Sequence, residues 1–168
     1  MNPNYKPPYI KRSKSGKTPR ALAKIRAWKS FSRWVRLRDA IKTTGTKEWV
    51  LCCTCGKKLR AFGAKNMGEE CADAGHCPYI EGRADNVLFI EKGVHAQCTH
   101  CNQYHGGKPT EYYNFMMVNY NAVEIEEIRK QRYVQVKYYE SDFQEIHLKY
   151  KKKYKELQEK LAQLEKEE

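Results

Sequence analysis

The chain has 168 residues, about the length of one domain with appendages, and carries 32 basic against 20 acidic side chains. Residues 1–38 hold 12 basic residues and no acid, so the rest of the chain is neutral and the excess charge favours a polyanion such as nucleic acid as partner. The sequence shows no apolar stretch long enough for a membrane span and no apolar signal segment, which argues against a membrane protein and favours the cytoplasm.

The N-terminal part is predicted to contain a disordered basic arm over residues 1–17, which are polar and rich in Pro, Ser and Lys. A basic amphipathic helix is predicted over residues 18–45, because Thr18 can cap it and Pro19 suits its first turn. Apolar residues recur on one face of this helix. Basic residues that lie mainly on the other side are expected to contact phosphate, although a solvated charged face is the alternative: Arg26, Lys29, Arg33, Arg36 and Arg38.

The middle of the chain, residues 46–125, is predicted to form the core. The segment "EWVLCCTCGKKL" indicates a strand that runs into a tight turn. The segment "NVLFIEKGVHAQCTHCNQYHGG" indicates a short hairpin, a second tight turn and the start of a helix. Between them lies a polar loop that contains glycine, residues 61–86.

Two CxxC pairs give this core its strongest pattern. Cys52 and Cys55 are followed, after 42 intervening residues, by Cys98 and Cys101. Two such thiolate pairs supply the four tetrahedral sulfur ligands that a structural zinc ion prefers. Cys53 does not fit the spacing. Two more cysteines are expected to serve in packing, with a second metal site as the alternative: Cys71 and Cys77.

From about Thr110 the chain is predicted to be helical to its end, with an interruption near "QRYVQVKYYESD". Residues 126–168 are assigned to a helical tail. Its apolar positions step by four and three residues, the spacing of a coiled-coil seam: Tyr150, Tyr154, Leu157, Leu161 and Leu164. Homodimer formation and packing of this helix back onto the domain both fit the seam.

The loop at residues 61–86 contains a candidate base. A closed four-cysteine zinc site has no open position for chemistry, but it would hold this loop beside the helix that begins at Asn102. That places His76 near Asn102 and His105. A neutral imidazole can take a proton from water, and an amide oxygen or a second imidazole can hold a metal ion at a phosphate. The other histidines are expected to pack or to be solvated: His95, His100 and His147.

Five segments together resemble the NinG (Rap) recombination proteins of lambda-like phages, in order and over about residues 22–150. They are "AWKSFSRWVRLRDAIKTTG", "CCTCGKKL", "DAGHCPYIEGR", "VHAQCTHCNQYHGG" and "EYYNFMMVNYNAVEIEEIRKQ". The resemblance implies a metal-dependent endonuclease that acts on branched DNA such as Holliday junctions. It also implies an α+β fold in which a small HNH, or ββα-metal, zinc core is flanked by a basic N-terminal helix and long C-terminal helices. Phage recombination or replication proteins are implied as partners.

Carried over by position, the resemblance makes His76 the general base and Asn102 a ligand of a catalytic Mg²⁺ or Mn²⁺. Asp73 and His105 are further candidate ligands of that ion. Arg83 in the loop is a candidate phosphate contact, because a guanidinium group binds phosphate oxygens in pairs.

The sequence departs from the HNH pattern at two glycines. Gly93 stands where the middle Asn is expected, and Gly75 stands where many of these enzymes have a metal-binding Asp. Two alternatives therefore stay open. One is a zinc-stabilised DNA-binding protein without catalysis, and the other is an interaction protein whose C-terminal helix recruits a partner.

Overall fold

The computed structural model describes residues 16–63, 70–79 and 84–167. The predicted basic arm lies almost wholly outside these ranges, and so does Arg83. The regular elements are α1 (Pro19–Thr44), β1 (Trp49–Leu51), β2 (Lys58–Arg60), β3 (Asp73–His76), β4 (Val94–Gln97), α2 (Pro109–Asn119), α3 (Ala122–Gln131) and α4 (Glu140–Glu167). Short 3₁₀ turns cover Asp85–Phe89 and Glu91–Gly93, and a π-helical turn covers His100–Tyr104.

Helix α1 begins and ends where its sequence signals predict. The Thr18 hydroxyl accepts a hydrogen bond from the Ala21 amide, and Pro19 occupies the first turn. The helix ends at Gly45, whose left-handed backbone (φ 69°) lets its N–H donate to the Ile41 carbonyl. The side of α1 that faces the protein buries a run of residues: Ala23, Ala27, Phe31, Trp34, Val35, Leu37, Asp39 and Ala40.

The strands form two separate antiparallel pairs. Strands β1 and β2 make the predicted strand and tight turn, with Val50 opposite Leu59. Strands β3 and β4 pair from Asp73 opposite Gln97 to His76 opposite Val94. The pairs meet through the backbone, because the Cys53 amide donates to the Ala96 carbonyl at 2.9 Å.

The prediction of strand pairing in the second half of the core was wrong in part. Strand β3 lies inside the segment predicted as a loop, and residues 85–93 form 3₁₀ turns instead of the first strand of a hairpin. The physical reason lies in Asp85. Its carboxylate accepts hydrogen bonds from Arg20, Lys24 and the Tyr138 amide, so this stretch is tied to α1 and not to β4.

The C-terminal helices confirm the predicted interruption, since a turn followed by irregular chain at residues 132–139 separates α3 from α4. Helix α4 packs along α1. The Tyr150 ring centroid lies 4.7 Å from that of Phe31, edge to face, and 5.2 Å from that of Trp34. Tyr150 and Leu161 are buried, whereas Leu164 is exposed. Most of the predicted seam therefore packs back onto the domain.

The architecture is α+β, as expected: two small antiparallel sheets lie between α1 and the shorter helices α2 and α3. Within residues 16–63, 70–79 and 84–167, no helix has the length and apolar character needed to cross a bilayer.

Candidate functional site

Four cysteines converge from the two strand pairs. Cys52 and Cys55 lie on the turn between β1 and β2, and Cys98 and Cys101 follow β4. Their sulfur atoms all lie within 4.8 Å of one another, with 3.8 Å between those of Cys55 and Cys98. Four thiolates placed about 2.3 Å from a tetrahedral zinc ion would be separated by about 3.8 Å. The cluster is therefore compatible with the predicted structural zinc site.

The surroundings of Cys52 differ from those of its neighbour Cys53. Burial raises the pKa of Cys52, but hydrogen bonds from the Thr54 hydroxyl and from backbone amides outweigh that effect and lower it to about 7. Burial raises the pKa of Cys53, which stays a thiol outside the cluster, as its spacing predicts. Within the described ranges, the four-cysteine cluster is the only close group of three or more potential metal ligands among His, Cys, Asp and Glu.

His76 ends β3 and is half-buried against α1. Its imidazole ring stacks on the Trp28 indole, with centroids 5.0 Å apart and planes 13° from parallel. Its Nε2 lies 3.2 Å from the Leu88 carbonyl oxygen. Because a carbonyl oxygen only accepts, this hydrogen bond places the proton on Nε2 and the lone pair on Nδ1. The contact thus selects the tautomer in which Nδ1 can accept a proton.

Asp73 and Asn102 meet at the other end of β3. The Asn102 amide nitrogen donates to the Asp73 carboxylate at 3.3 Å, and that of Gln103 donates to the same oxygen at 2.9 Å. A Cβ on Gly75 would lie 2.9 Å from the Asn102 amide oxygen and 2.0 Å from that of Gln97. The glycine is therefore required for these side chains to approach the strand, and an Asp would not fit at this position.

Asp73 and Asn102 line a cleft of about 310 Å³. Its walls are Trp28, Ser32, Arg36, Ala72, Asp73, Ala74, Asn102 and Gln103. Trp28 belongs to the cleft wall and also stacks on the His76 ring, whereas His76 itself is not one of the lining residues. His105 has a different partner, since its Nε2 lies 2.8 Å from that of the exposed His100. The structure thus brings Asp73 and Asn102 together, and it pairs His105 with His100.

The predicted phosphate contacts on α1 divide into two groups. Arg26, Lys29 and Arg33 are exposed. Arg36 instead donates to the Ala61 and Ala72 carbonyls, and Arg38 donates to those of Glu91 and Val94: these bonds join α1 to the strands and turns. The charge pattern of the helix did not distinguish the two groups.

A buried polar network surrounds His95 on β4, opposite Gly75. His95 Nδ1 lies 3.2 Å from the Asp39 carboxylate, and Nε2 lies 3.0 Å from the Tyr120 hydroxyl. Burial lowers the pKa of His95. Burial raises that of Asp39, but hydrogen bonds with His95 and Arg38 override this and lower it to about 2. The network is structural, in keeping with the packing role expected for His95.

Sequence analysis missed Tyr112, which lies on α2 and is fully buried. Its hydroxyl donates to the Gly75 carbonyl at 2.9 Å and lies 3.5 Å from that of Gly93. It therefore links β3, next to His76, to the residue that stands in place of the expected middle Asn. Only the apolar spacing of α2 could have indicated that Tyr112 is buried.

The fold and site define an α+β protein with a four-cysteine cluster, compatible with a structural metal site, and a polar cleft. A family model described as Bacteriophage Lambda NinG protein matches residues 9–160, and the chain belongs to this family. No curated protein and no solved structure matches the chain. Family membership suggests a function related to phage recombination.

Proposed function

We propose that this protein is a metal-dependent endonuclease that cuts branched DNA such as Holliday junctions, with a structural zinc ion in the four-cysteine centre. The observation that carries the proposal is the orientation of His76. Its Nε2–H donates to the Leu88 carbonyl, which supports Nδ1 as the proton acceptor. The Trp28 ring that stacks on His76 also lines the cleft that contains Asp73 and Asn102. Such a fixed imidazole is suited to general-base catalysis.

In the proposed reaction, His76 Nδ1 takes a proton from water as the oxygen attacks the phosphorus atom. The bond from phosphorus to the 3′-oxygen breaks, which leaves a 5′-phosphate and a 3′-hydroxyl. The Asp73 carboxylate and the Asn102 amide oxygen are the hard oxygen donors that Mg²⁺ or Mn²⁺ prefers, and Mg²⁺ needs only one or two carboxylates because it retains water ligands. When bound there, the ion would neutralise charge on the leaving oxygen.

DNA is held, in this account, by the exposed cations of α1. Arg26, Lys29 and Arg33 lie on the same helix as Trp28 but mainly on the side away from its buried face, so phosphates would lie along the outer side of α1. Contacts of this kind position a backbone without reading bases, and selectivity for a junction would come from its shape. Recombination or replication proteins of a phage remain candidate partners.

A homodimer would suit the two-fold symmetry of a four-way junction, because two sites could then cut opposed strands. Most of the α4 seam packs on α1, which leaves the exposed Leu148 and Leu164 as apolar candidates for such a contact. Analytical ultracentrifugation at micromolar concentration, with and without junction DNA, tests this. A monomer under both conditions counts against the dimer.

The main experiment measures cleavage of end-labelled four-way junction, flap and duplex DNA by wild type and His76→Ala in Mg²⁺ or Mn²⁺. Wild type is expected to cut the junction at symmetric positions, whereas the variant binds it without cutting. His147→Ala is the matched control, because His147 lies on α4 and contacts Ser30 at 2.7 Å. It should cut as wild type does.

A second candidate function is zinc-stabilised DNA binding without cleavage. The two glycines support it, since Gly75 and Gly93 remove side chains that HNH enzymes use. The hydroxyl of Tyr112 favours the nuclease instead, because it joins the carbonyls of those same two residues. If wild type binds the junction but cuts nothing in either metal, the binding function replaces the nuclease.

A further inference from the structure

We infer that a second surface, at the start of α1, binds an unpaired DNA strand next to the branch. We call it the strand-binding surface: it consists of Arg20 and Lys24 on α1 and of the segment at residues 132–139 that joins α3 to α4. The inference rests on the proposal that DNA is the substrate, but not on cleavage.

The segment at residues 132–139 begins as a turn and is then held by hydrogen bonds at Val136 and Tyr138. The Asp85 amide donates to the Val136 carbonyl at 3.1 Å, and the Tyr138 amide donates back to the buried Asp85 carboxylate at 3.0 Å. Arg20 Nε donates to the Tyr138 carbonyl at 2.7 Å. A segment held in this way needs little ordering when a ligand binds, which favours affinity.

The surface has a large excess of positive charge. A cleft of about 560 Å³ is lined by four cations and one acid: Arg20, Lys24, Arg132, Lys137 and Asp85. Asp85 pairs with Arg20 and Lys24, so it offsets one of their two charges. Arg132 donates to the Tyr79 carbonyl, which carries no charge, and Lys137 has no ion pair with any described residue. The cleft thus suits a polyanion.

Two exposed aromatic rings lie on the same segment as Arg132 and Lys137. Tyr133 is 75% exposed and Tyr139 is 73% exposed, and the Arg132 guanidinium carbon lies 5.7 Å from the Tyr133 ring centroid. Two residues six positions apart lie at most roughly 20 Å from each other. Cations interleaved with exposed rings are the usual means of binding single strands, because bases stack on the rings.

The two rings favour DNA over an acidic protein as partner, and unpaired DNA over duplex. Charge alone would attract any of these polyanions. The faces of bases are free for stacking only where a strand is unpaired. Arg20 lies eight residues before Trp28 on α1, which is roughly 12 Å along the helix axis. A strand bound at this surface can therefore continue toward the cleft beside His76.

The first test is fluorescence anisotropy with labelled oligothymidylate and with a duplex of equal length, without added Mg²⁺ or Mn²⁺. The double variant Tyr133→Ser, Tyr139→Ser should bind the single strand at least tenfold more weakly, in line with the cost of lost stacking, and should bind the duplex almost as wild type does. The matched control is Tyr133→Phe, Tyr139→Phe, which keeps the rings and should bind as wild type.

Two results with the variants would overturn the inference. One is oligothymidylate binding by the serine variant as tight as that of wild type. The other is an equal loss in the phenylalanine variant, which would mean that hydroxyl groups and not rings hold the ligand. Failure of wild type to bind oligothymidylate would also overturn it.

The second test concerns charge. Arg132→Gln with Lys137→Gln should lower the slope of log affinity against log salt for oligothymidylate by about 0.7 for each cation lost. Lys152→Gln with Lys155→Gln is the control, because both side chains are highly exposed on α4. An unchanged slope in the first pair, or an equal change in both, contradicts the inference.

These binding tests separate the inference from the proposed nuclease. If wild type cuts no DNA but the serine variant loses single-strand binding, the surface stands and the catalytic proposal fails. If wild type cuts junctions and the serine variant binds single strands normally, the surface is wrong and the nuclease stands.

Discussion

Two histidines on paired strands, His95 and His76, have different environments, which suit one to a structural role and the other to the proposed catalytic role. His95 on β4 lies opposite Gly75, the neighbour of His76 on β3. His95 is buried and both of its ring nitrogens lie within hydrogen-bond distance of polar partners, including Asp39 and Tyr120. His76 is half-buried and stacks on Trp28, which lines a polar cleft. His95 can hold the fold together, and His76 is the residue that we propose as the base.

The largest effect is expected from removing the metal, because the cysteine centre supports the strands that carry both histidines. Structural zinc contributes about 10–16 kcal/mol of apparent binding free energy in small zinc domains, as much as the whole stability of a typical domain. Treatment with a chelator, or Cys98→Ser, should therefore unfold the core. Metal content and thermal unfolding by circular dichroism measure this. A melting temperature that does not change on metal removal would contradict the role of the centre.

A smaller effect, on stability alone, is expected from Asp39→Asn. The change removes the buried carboxylate beside Arg38 and His95, and breaking a buried ion pair costs about 3–5 kcal/mol. Denaturant unfolding measures the loss, with the exposed Glu127→Gln as control. Cleavage by the folded fraction should stay unchanged. Loss of cleavage without loss of stability would mean that the His95 region takes part in catalysis, and it would contradict the difference in role between His95 and His76.

The same carboxylate predicts a dependence on pH. Its folded pKa of about 2 lies below the ordinary value of 3.8. Asp39 therefore contributes stability at all pH values above about 4, and this contribution is lost as the pH falls through 2. The gap in unfolding free energy between wild type and Asp39→Asn should shrink over that window. A gap that stays constant from pH 5 to pH 2 would contradict the lowered pKa.

Asp73→Asn should slow junction cleavage by about a hundredfold, which corresponds to about 3 kcal/mol of activation free energy. The reason is that it removes the one carboxylate among the described residues that line the cleft. Raising the Mn²⁺ concentration should restore part of the rate, and stability should change little. Asp142→Asn, at the start of α4, is the control. A rate unaffected by Asp73→Asn would remove this residue from the proposed metal site.

The smallest effect is expected from substitutions of two tryptophans on α1, Trp28 and Trp34. Trp28→Leu removes the ring that stacks on His76 and should lower the maximal cleavage rate about tenfold without weakening DNA binding, whereas Trp28→Phe should recover most of it. Trp34→Leu removes a ring that packs on Tyr150 and should lower stability but not the rate of the folded fraction. Equal effects of Trp28→Leu and Trp34→Leu on that rate would show that Trp28 only packs.

The sequence predicted those parts of the fold that depend on local signals. Thr18 and Gly45 mark the ends of α1, and the two CxxC spacings identify the four cysteines that cluster. The interruption between α3 and α4 was also predicted. Each of these features depends on a few neighbouring residues whose chemistry is specific, so one sequence is sufficient to find them.

The parts that it missed depend on contacts between distant residues. Strand β3 has the sequence "DAGH", which lacks alternating apolar residues and becomes a strand because it pairs with β4. Arg38 resembles its exposed neighbours in sequence, yet it points inward to two carbonyls more than 50 residues away. The stack of Trp28 on His76 has no local signal at all. The contact between His76 and α1 can be found only from the tertiary structure.

The measurement that tests the central claim most directly is the rate of junction cleavage by His76→Ala at saturating protein, with and without added imidazole. The account predicts that the variant binds the junction as wild type does, cuts it at least a hundredfold more slowly, and regains part of the rate when imidazole supplies the missing base. Cleavage by His76→Ala at the wild-type rate would contradict the account, because His76 would then not be the base.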